Sequence, residues 1–147
     1  MIARIRKSMD EKDEGFTLVE LLVVMFIIGI LAAIAIPVFL NQRKKAAETA
    51  AKADVSTIGK EVAAYYVDGT LALTLATVAG TPNQWTLSDT TGEITRGKLS
   101  GKNVTHVGAV KIPNGTTFCV DVNPDASISG AQPWSYSQDG LVKGACA

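Results

Sequence analysis

Residues 15 to 40 read GFTLVELLVVMFIIGILAAIAIPVFL, and this stretch decides the fold. From Leu21 to Leu40 there is no charged residue, and only Gly29 and Pro37 weaken a helix. A helix of about 20 residues crosses roughly 30 Å of hydrocarbon, so the run reads as one membrane pass. Glu20 stands at its mouth. An ionisable group in hydrocarbon costs roughly 2.5 to 3.5 kcal/mol on insertion scales, so this carboxylate calls for a partner. The chain offers no cation between Lys12 and Arg43, and Glu20 is expected to lack a partner within its own precursor.

Two other readings of an apolar run compete. A cleaved secretory signal also begins with basic residues, but its apolar region is about 7 to 15 residues and ends in a small-residue cleavage site. Here the run is longer and gives way to Asn41-Gln42-Arg43-Lys44-Lys45, although Ala32, Ala33 and Ala35 supply small residues inside it. A plain signal anchor is the second competitor, and hydrophobicity alone favours it.

The junction residues change that balance. Gly15 followed by Phe16-Thr-Leu-Val-Glu20 and an apolar run resembles the processing site of type IV prepilins and of the related pseudopilins of type II secretion. The resemblance covers about 30 residues; beyond them the chain is similar to the family only in layout. It implies cleavage after Gly15 by a prepilin peptidase, which also methylates the new amino terminus at Phe16. It further implies a filament whose core is a bundle of such helices, with Glu20 paired to the Phe16 amine of a neighbouring subunit. A buried pair of that kind adds little net stability but fixes register, because breaking it strands a charge. Without the resemblance, Glu20 is a carboxylate at a favourable helix N-terminus.

The implied boundaries are a leader at 1–15, a transmembrane and filament-core helix at 16–40, an amphipathic continuation at 41–67 and an antiparallel-sheet region at 68–147. The fold class is α+β, with the long helix packed on a small antiparallel sheet. The implied partners are other pilin subunits in a homopolymer, the peptidase and methyltransferase, and an assembly platform in the membrane. Between Gly29 and Pro37, where backbone hydrogen bonding is weakened, the resemblance implies a helix able to unwind in the filament. A tolerated kink is the alternative. Gly29, Ala32, Ala33 and Ala35 would let neighbouring helices approach.

Fourteen Lys and Arg balance fourteen Asp and Glu, so no strong attraction to nucleic acid follows. Arg4, Arg6, Lys7 and Lys12 precede the apolar run and Arg43, Lys44, Lys45 and Lys52 follow it, which leaves orientation undecided by charge. The prepilin motif puts the leader in the cytoplasm and the rest outside, with the precursor in the cytoplasmic membrane and the assembled form at the cell surface. Cys119 and Cys146 are the two cysteines. An even count in an exported domain suggests a disulfide tying down the C-terminal tail, with two unpaired buried thiols as the alternative. A C-terminal disulfide loop is common in type IV pilins and often missing in secretion pseudopilins.

Past Leu40, Ala47, Ala51, Val55, Ile58, Val62 and Tyr65 or Tyr66 recur at steps of three and four, so the helix continues, amphipathic, to about Asp68-Gly69. Leu71 to Asp89 reads as an irregular loop with a helical turn near Leu73 to Val78. Val104 to Ile112, Thr117 to Val122, Trp134 to Ser137 and Leu141 to Lys143 read as antiparallel strands, with hairpins at Pro113-Asn114-Gly115 and Asp139-Gly140. Phe118, Val120 and Val122 are expected to face the helix.

Other fragments imitate chemistry. Gly92-Glu-Ile-Thr-Arg-Gly97-Lys98 begins like a phosphate-binding loop, but Leu99 replaces its Ser or Thr. Asp121-Val-Asn123-Pro-Asp125 begins like a calcium loop, but Ala126 and Gln132 replace the Gly and Glu it needs. No cofactor is expected otherwise, and a nonstandard calcium site there is the one metal reading left open. His106 has no second histidine beside it, and the sequons at Asn103 and Asn114 arise readily by chance. No catalytic constellation is present, so an enzyme is not expected. The reading is a structural subunit of a type IV pilus-like filament, with a type II secretion pseudopilin as first alternative and a tethered, non-polymerising binding domain as second. Motility, adhesion, DNA uptake and secretion all use such filaments.

Overall fold

The computed structural model describes residues 15–78, 81, 83–100, 117–124 and 127–146. The chain divides into two compact units, Met1–Phe39 and Leu40–Ala147. One helix, α1 (Leu18–Asp68), runs 51 residues without a break, through both Gly29 and Pro37. It stops where Gly69 N–H bonds the Tyr65 carbonyl at 2.7 Å, before Thr70 leaves the helix.

In the first unit every described residue from Gly15 to Leu31 is exposed, and large apolar side chains remain uncovered as far as Leu40. In the second unit α1 buries a stripe of Ala51, Asp54, Val55, Ile58, Gly59 and Val62. Against it pack two three-stranded antiparallel sheets. The first runs β1 (Thr74–Thr77), β2 (Gln84–Asp89) and β3 (Gly92–Lys98); the second β4 (Cys119–Val122), β5 (Trp134–Ser137) and β6 (Gly140–Lys143), each in sequential order. Leu73, Leu75, Trp85, Leu87 and Leu99 from around the first sheet and Phe118, Val120 and Val122 from the second meet the helix in one core. Full burial of Val55, Ile58 or Val62 contributes about 1.5 to 3 kcal/mol each.

The first sheet corrects the sequence reading. Leu71 to Asp89 is no irregular loop: it holds β1 and β2, and no helical turn forms near Leu73 to Val78. Leu75, Trp85 and Leu87 point inward while their neighbours stay partly or fully exposed, a period of two that short strands with few apolar residues barely display. The look-alike of a phosphate loop is also part of this sheet, since Gly92 to Lys98 is β3.

Both tight hairpins place their glycine one position later than a two-residue Asp-Gly loop would. Ser137 pairs with Gly140, so the loop is Gln138-Asp139, and Asp89 pairs with Gly92 across Thr90-Thr91. Positive φ falls on the following residue, at 146° for Gly92 and 107° for Gly140, and no described non-glycine residue has one. Such loops use ordinary residues at the corner and glycine to rejoin the ladder. The expected strand Val104 to Ile112, the hairpin at Pro113-Asn114-Gly115, His106 and both sequons lie outside the described residues.

Polar ties fix sheets to helix. Asp54, buried on α1, accepts the Ser100 N–H through both carboxylate oxygens at 3.0 and 2.8 Å. Burial pushes its pKa up, and the Ser100 bonds oppose that rise. Glu48 accepts from Lys143 Nζ at 2.8 Å and from Gln132 N–H at 3.0 Å, and these bonds, Lys143 first, hold its pKa down. Tyr65 Oη donates to Asp89 Oδ2 at 3.0 Å, while Asp89 Oδ1 receives the N–H groups of Thr91 and Gly92. Cys119 and Cys146 form a disulfide, joining the start of β4 to the C-terminal tail.

Candidate functional site

The amino-terminal half of α1 is the part of the molecule whose surface does not suit water. Phe16 is 87% exposed, and Leu18, Val19, Leu21, Leu22, Met25, Phe26, Leu31 and Ile34 are all uncovered. α1 is the one helix among the described residues that is long and apolar enough to cross a membrane. Apolar side chains on all sides mean either lipid or other helices around it.

At its mouth the sequence builds a cap. Thr17 precedes the first helical residue, and Glu20 follows three positions later, the spacing of a capping box. The Glu20 N–H donates to Thr17 Oγ1 at 3.3 Å, and Glu20 Oε2 accepts from Thr17 N–H at 2.9 Å and from Thr17 Oγ1 at 2.8 Å. Glu20 therefore has a hydrogen-bonding partner within its own chain, a neutral one that leaves its charge without a cation among the described residues. Thr17 is the residue that sequence reasoning passed over, and the Thr-x-x-Glu pattern before an apolar run was the available signal. The other carboxylate oxygen, Oε1, has no hydrogen bond among the described residues.

The remaining residues singled out in the sequence fall as follows. Gly15 and Phe16 lie just before the helix, exposed. A Cβ placed on Gly15 or Gly29 would meet nothing within 4 Å, so neither glycine is required by packing among the described residues. Pro37 sits inside α1, which continues unbroken past it. Cys119 and Cys146 belong to the sheet region. Of the calcium look-alike, Asp121 lies on β4 and Asp125 is outside the described residues; among the described residues no group of three or more His, Cys, Asp or Glu side chains is placed to hold a metal.

Residues 12–36 match the family model for the prokaryotic N-terminal methylation motif. Over 143 residues the chain is 28% identical to the type IV major pilin protein PilE of Neisseria gonorrhoeae, an alignment covering 94% of this chain and 76% of that protein. It is 39% identical to the type II secretion system core protein G of Pseudomonas aeruginosa over 57 residues, covering 39% of this chain and 40% of the relative. It is 56% identical to the prepilin peptidase-dependent protein D of Escherichia coli over 39 residues, 26% of this chain and 27% of that one. No solved structure gives a significant match. The capped apolar helix thus carries the methylation motif, the similarity to the gonococcal pilin runs on into the sheet region, and the chain is a homologue of the type IV pilins and of the type II secretion pseudopilins.

Proposed function

We propose that the chain is the precursor of a structural subunit of a type IV pilus-like filament, cut after Gly15, methylated on Phe16 and polymerised through the apolar half of α1. The observation that carries this is the uncovered apolar surface from Phe16 to Leu40 directly behind a methylation motif. Membrane lipid satisfies that surface before assembly, and neighbouring copies of the same helix satisfy it afterwards. Gly29, with open space where its Cβ would stand, suits close approach of such a neighbour.

The cap gives Glu20 a defined state in each stage. In the precursor, Thr17 holds one carboxylate oxygen, which keeps the charge solvated by the chain itself. Cleavage after Gly15 creates a Phe16 amine, and the open Oε1 of Glu20 can accept that amine from an adjacent subunit. Pairing contributes register more than net stability. The sheet region then forms the outer surface, closed at its end by the Cys119–Cys146 disulfide. That disulfide, and an alignment with PilE that spans 94% of the chain where the one with core protein G spans 39%, favour a pilus over a secretion pseudopilin.

The mature mass decides the processing step. Protein extracted from membranes should begin at a methylated Phe16, and an intact Met1 would exclude it. Glu20→Ala should abolish filaments seen by electron microscopy while the monomer persists in the membrane; unchanged filaments would refute the pairing.

A further inference from the structure

Just beyond the apolar run, Asn41, Lys44, Lys45 and Glu48 follow one another at steps of three, one and three, so they share one face of α1. Lys143 of β6, 95 residues from Glu48, reaches the same face and donates its ammonium to Glu48 Oε2 at 2.8 Å. These five residues line an open depression of about 350 Å³. Lys44 also reaches the segment before β5: its Nζ lies 3.5 Å from where a Cβ on Gly130 would stand.

The depression holds three ammonium groups against one carboxylate, an excess of two positive charges. Glu48 is already engaged by Lys143 and by the Gln132 N–H; Lys44 acts on it through charge without forming a salt bridge, and Lys45 has no salt bridge among the described residues. Ammonium groups only donate. A small anion with several acceptor oxygens satisfies them best, and phosphate is that anion. Position along the chain selects the source of the phosphate. Lys44 and Lys45 follow Leu40 by four and five residues, roughly 6 to 8 Å of helical rise. The headgroup layer beside the hydrocarbon is about 5 to 8 Å deep.

We infer that this depression binds the phosphate of an anionic phospholipid headgroup, in the leaflet from which the sheet region emerges. The inference rests on the membrane-anchored reading of the precursor. Bound this way, Lys143 couples the second sheet to the headgroup layer, and extraction into a filament exchanges the lipid phosphate for water or a neighbouring subunit.

The test is lipid retention by the full chain, reconstituted in nanodiscs of mixed phosphatidylcholine and phosphatidylglycerol, released gently and weighed by native mass spectrometry. Phosphatidylglycerol should be retained in preference to phosphatidylcholine. Lys45→Gln, which removes an exposed side chain bonded to nothing described, should weaken retention about fivefold, in line with the worth of one lysine at an anionic surface. Lys143→Gln should do the same or more, and Lys60→Gln, elsewhere on the helix, should not. Equal retention of the two lipids, or no effect of Lys45→Gln, overturns the site while leaving the anchor reading intact. Failure of the chain to enter nanodiscs overturns both. In detergent, inorganic phosphate should bind far more weakly than phosphatidylglycerol; equal binding overturns the assignment to a headgroup.

Discussion

Gly59 of α1 packs so closely on the ring of Tyr136 that a Cβ at position 59 would overlap the Cβ, Cγ and Cδ1 of the tyrosine. The overlapped atoms include the stem of Tyr136, which β5 fixes in place, so the side chain cannot swing aside without moving the strand. Tyr136 is also stacked on Phe118, which is stacked in turn on Tyr66, with ring centroids 6.2 Å apart at each step. One small residue on the helix therefore sets how closely the second sheet sits.

Gly59→Ala sets two effects against each other. Alanine favours helix over glycine by about 1 kcal/mol. Overpacking of a filled core costs about 1 to 3 kcal/mol, and here no flexible end is available to yield. The net expectation is a lower thermal midpoint for the full chain in detergent, with a changed near-ultraviolet signal from the displaced aromatic stack. A midpoint equal to or above that of the parent would show that the sheet adjusts freely.

Asp54 and Glu48 titrate in opposite senses. The Asp54 pKa is raised in the fold, so protonation favours the folded state and its contribution improves as pH falls toward the ordinary aspartate value of 3.8. The Glu48 pKa is lowered, so its contribution is full above the ordinary value of 4.5 and is lost as pH falls below it. Stability measured by urea titration should rise on mild acidification from neutral pH and then drop. Asp54→Asn should flatten the rise, and Glu48→Gln should soften the drop. A rise that persists unchanged in Asp54→Asn would place its origin elsewhere.

Asp54→Ala removes both acceptors of the Ser100 N–H at the end of β3. Loss of a bond to a charged group costs about 1.5 to 3 kcal/mol, offset in part because the buried charge disappears with it. The first sheet should loosen, seen as faster amide exchange at Ser100 and Leu99. Asp54→Asn, which keeps one acceptor, should lose less.

The disulfide closes a separation of 27 residues. In the chain-entropy model such a loop contributes about 3.5 kcal/mol. Cys146→Ala should lower stability by that order in a urea titration under oxidising conditions, and the reduced parent should behave alike. A difference between the two would reveal an effect beyond the crosslink.

Thr17→Ala deletes the hydroxyl, which both donates to Glu20 Oε2 and accepts the Glu20 N–H. Backbone N–H of residue 17 survives, so its bond can remain while the hydroxyl bonds cannot. A lost cap costs about 1 kcal/mol, felt locally as fraying of the first turn. Amide exchange at Glu20 in micelles should accelerate, and Thr17→Ser should restore protection.

The long helix was legible because its signals are local. A charge-free run of membrane length, a stripe at helical spacing and Asp68-Gly69 at its end each lie within a few residues of what they determine, and α1 ends at Asp68. The second sheet was legible for a related reason, since Val120 and Val122 alternate with polar neighbours and a glycine marks the hairpin. The first sheet was not. Its strands bury only Leu75, Trp85 and Leu87, and a handful of apolar residues at period two does not stand out from an irregular stretch until the partners across the ladder are known.

By itself, then, the sequence determined the apolar helix, its charged mouth and its motif, because hydrocarbon imposes its demands on consecutive residues. It also contained the Thr17–Glu20 cap, a contact across three positions. Only the tertiary structure decided which groups far apart in the chain meet: Asp54 with Ser100, Gly59 with Tyr136, and Lys143 with Glu48. Those meetings depend on how two sheets settle against one helix face, and burial gives each pairing an energy that no single residue announces.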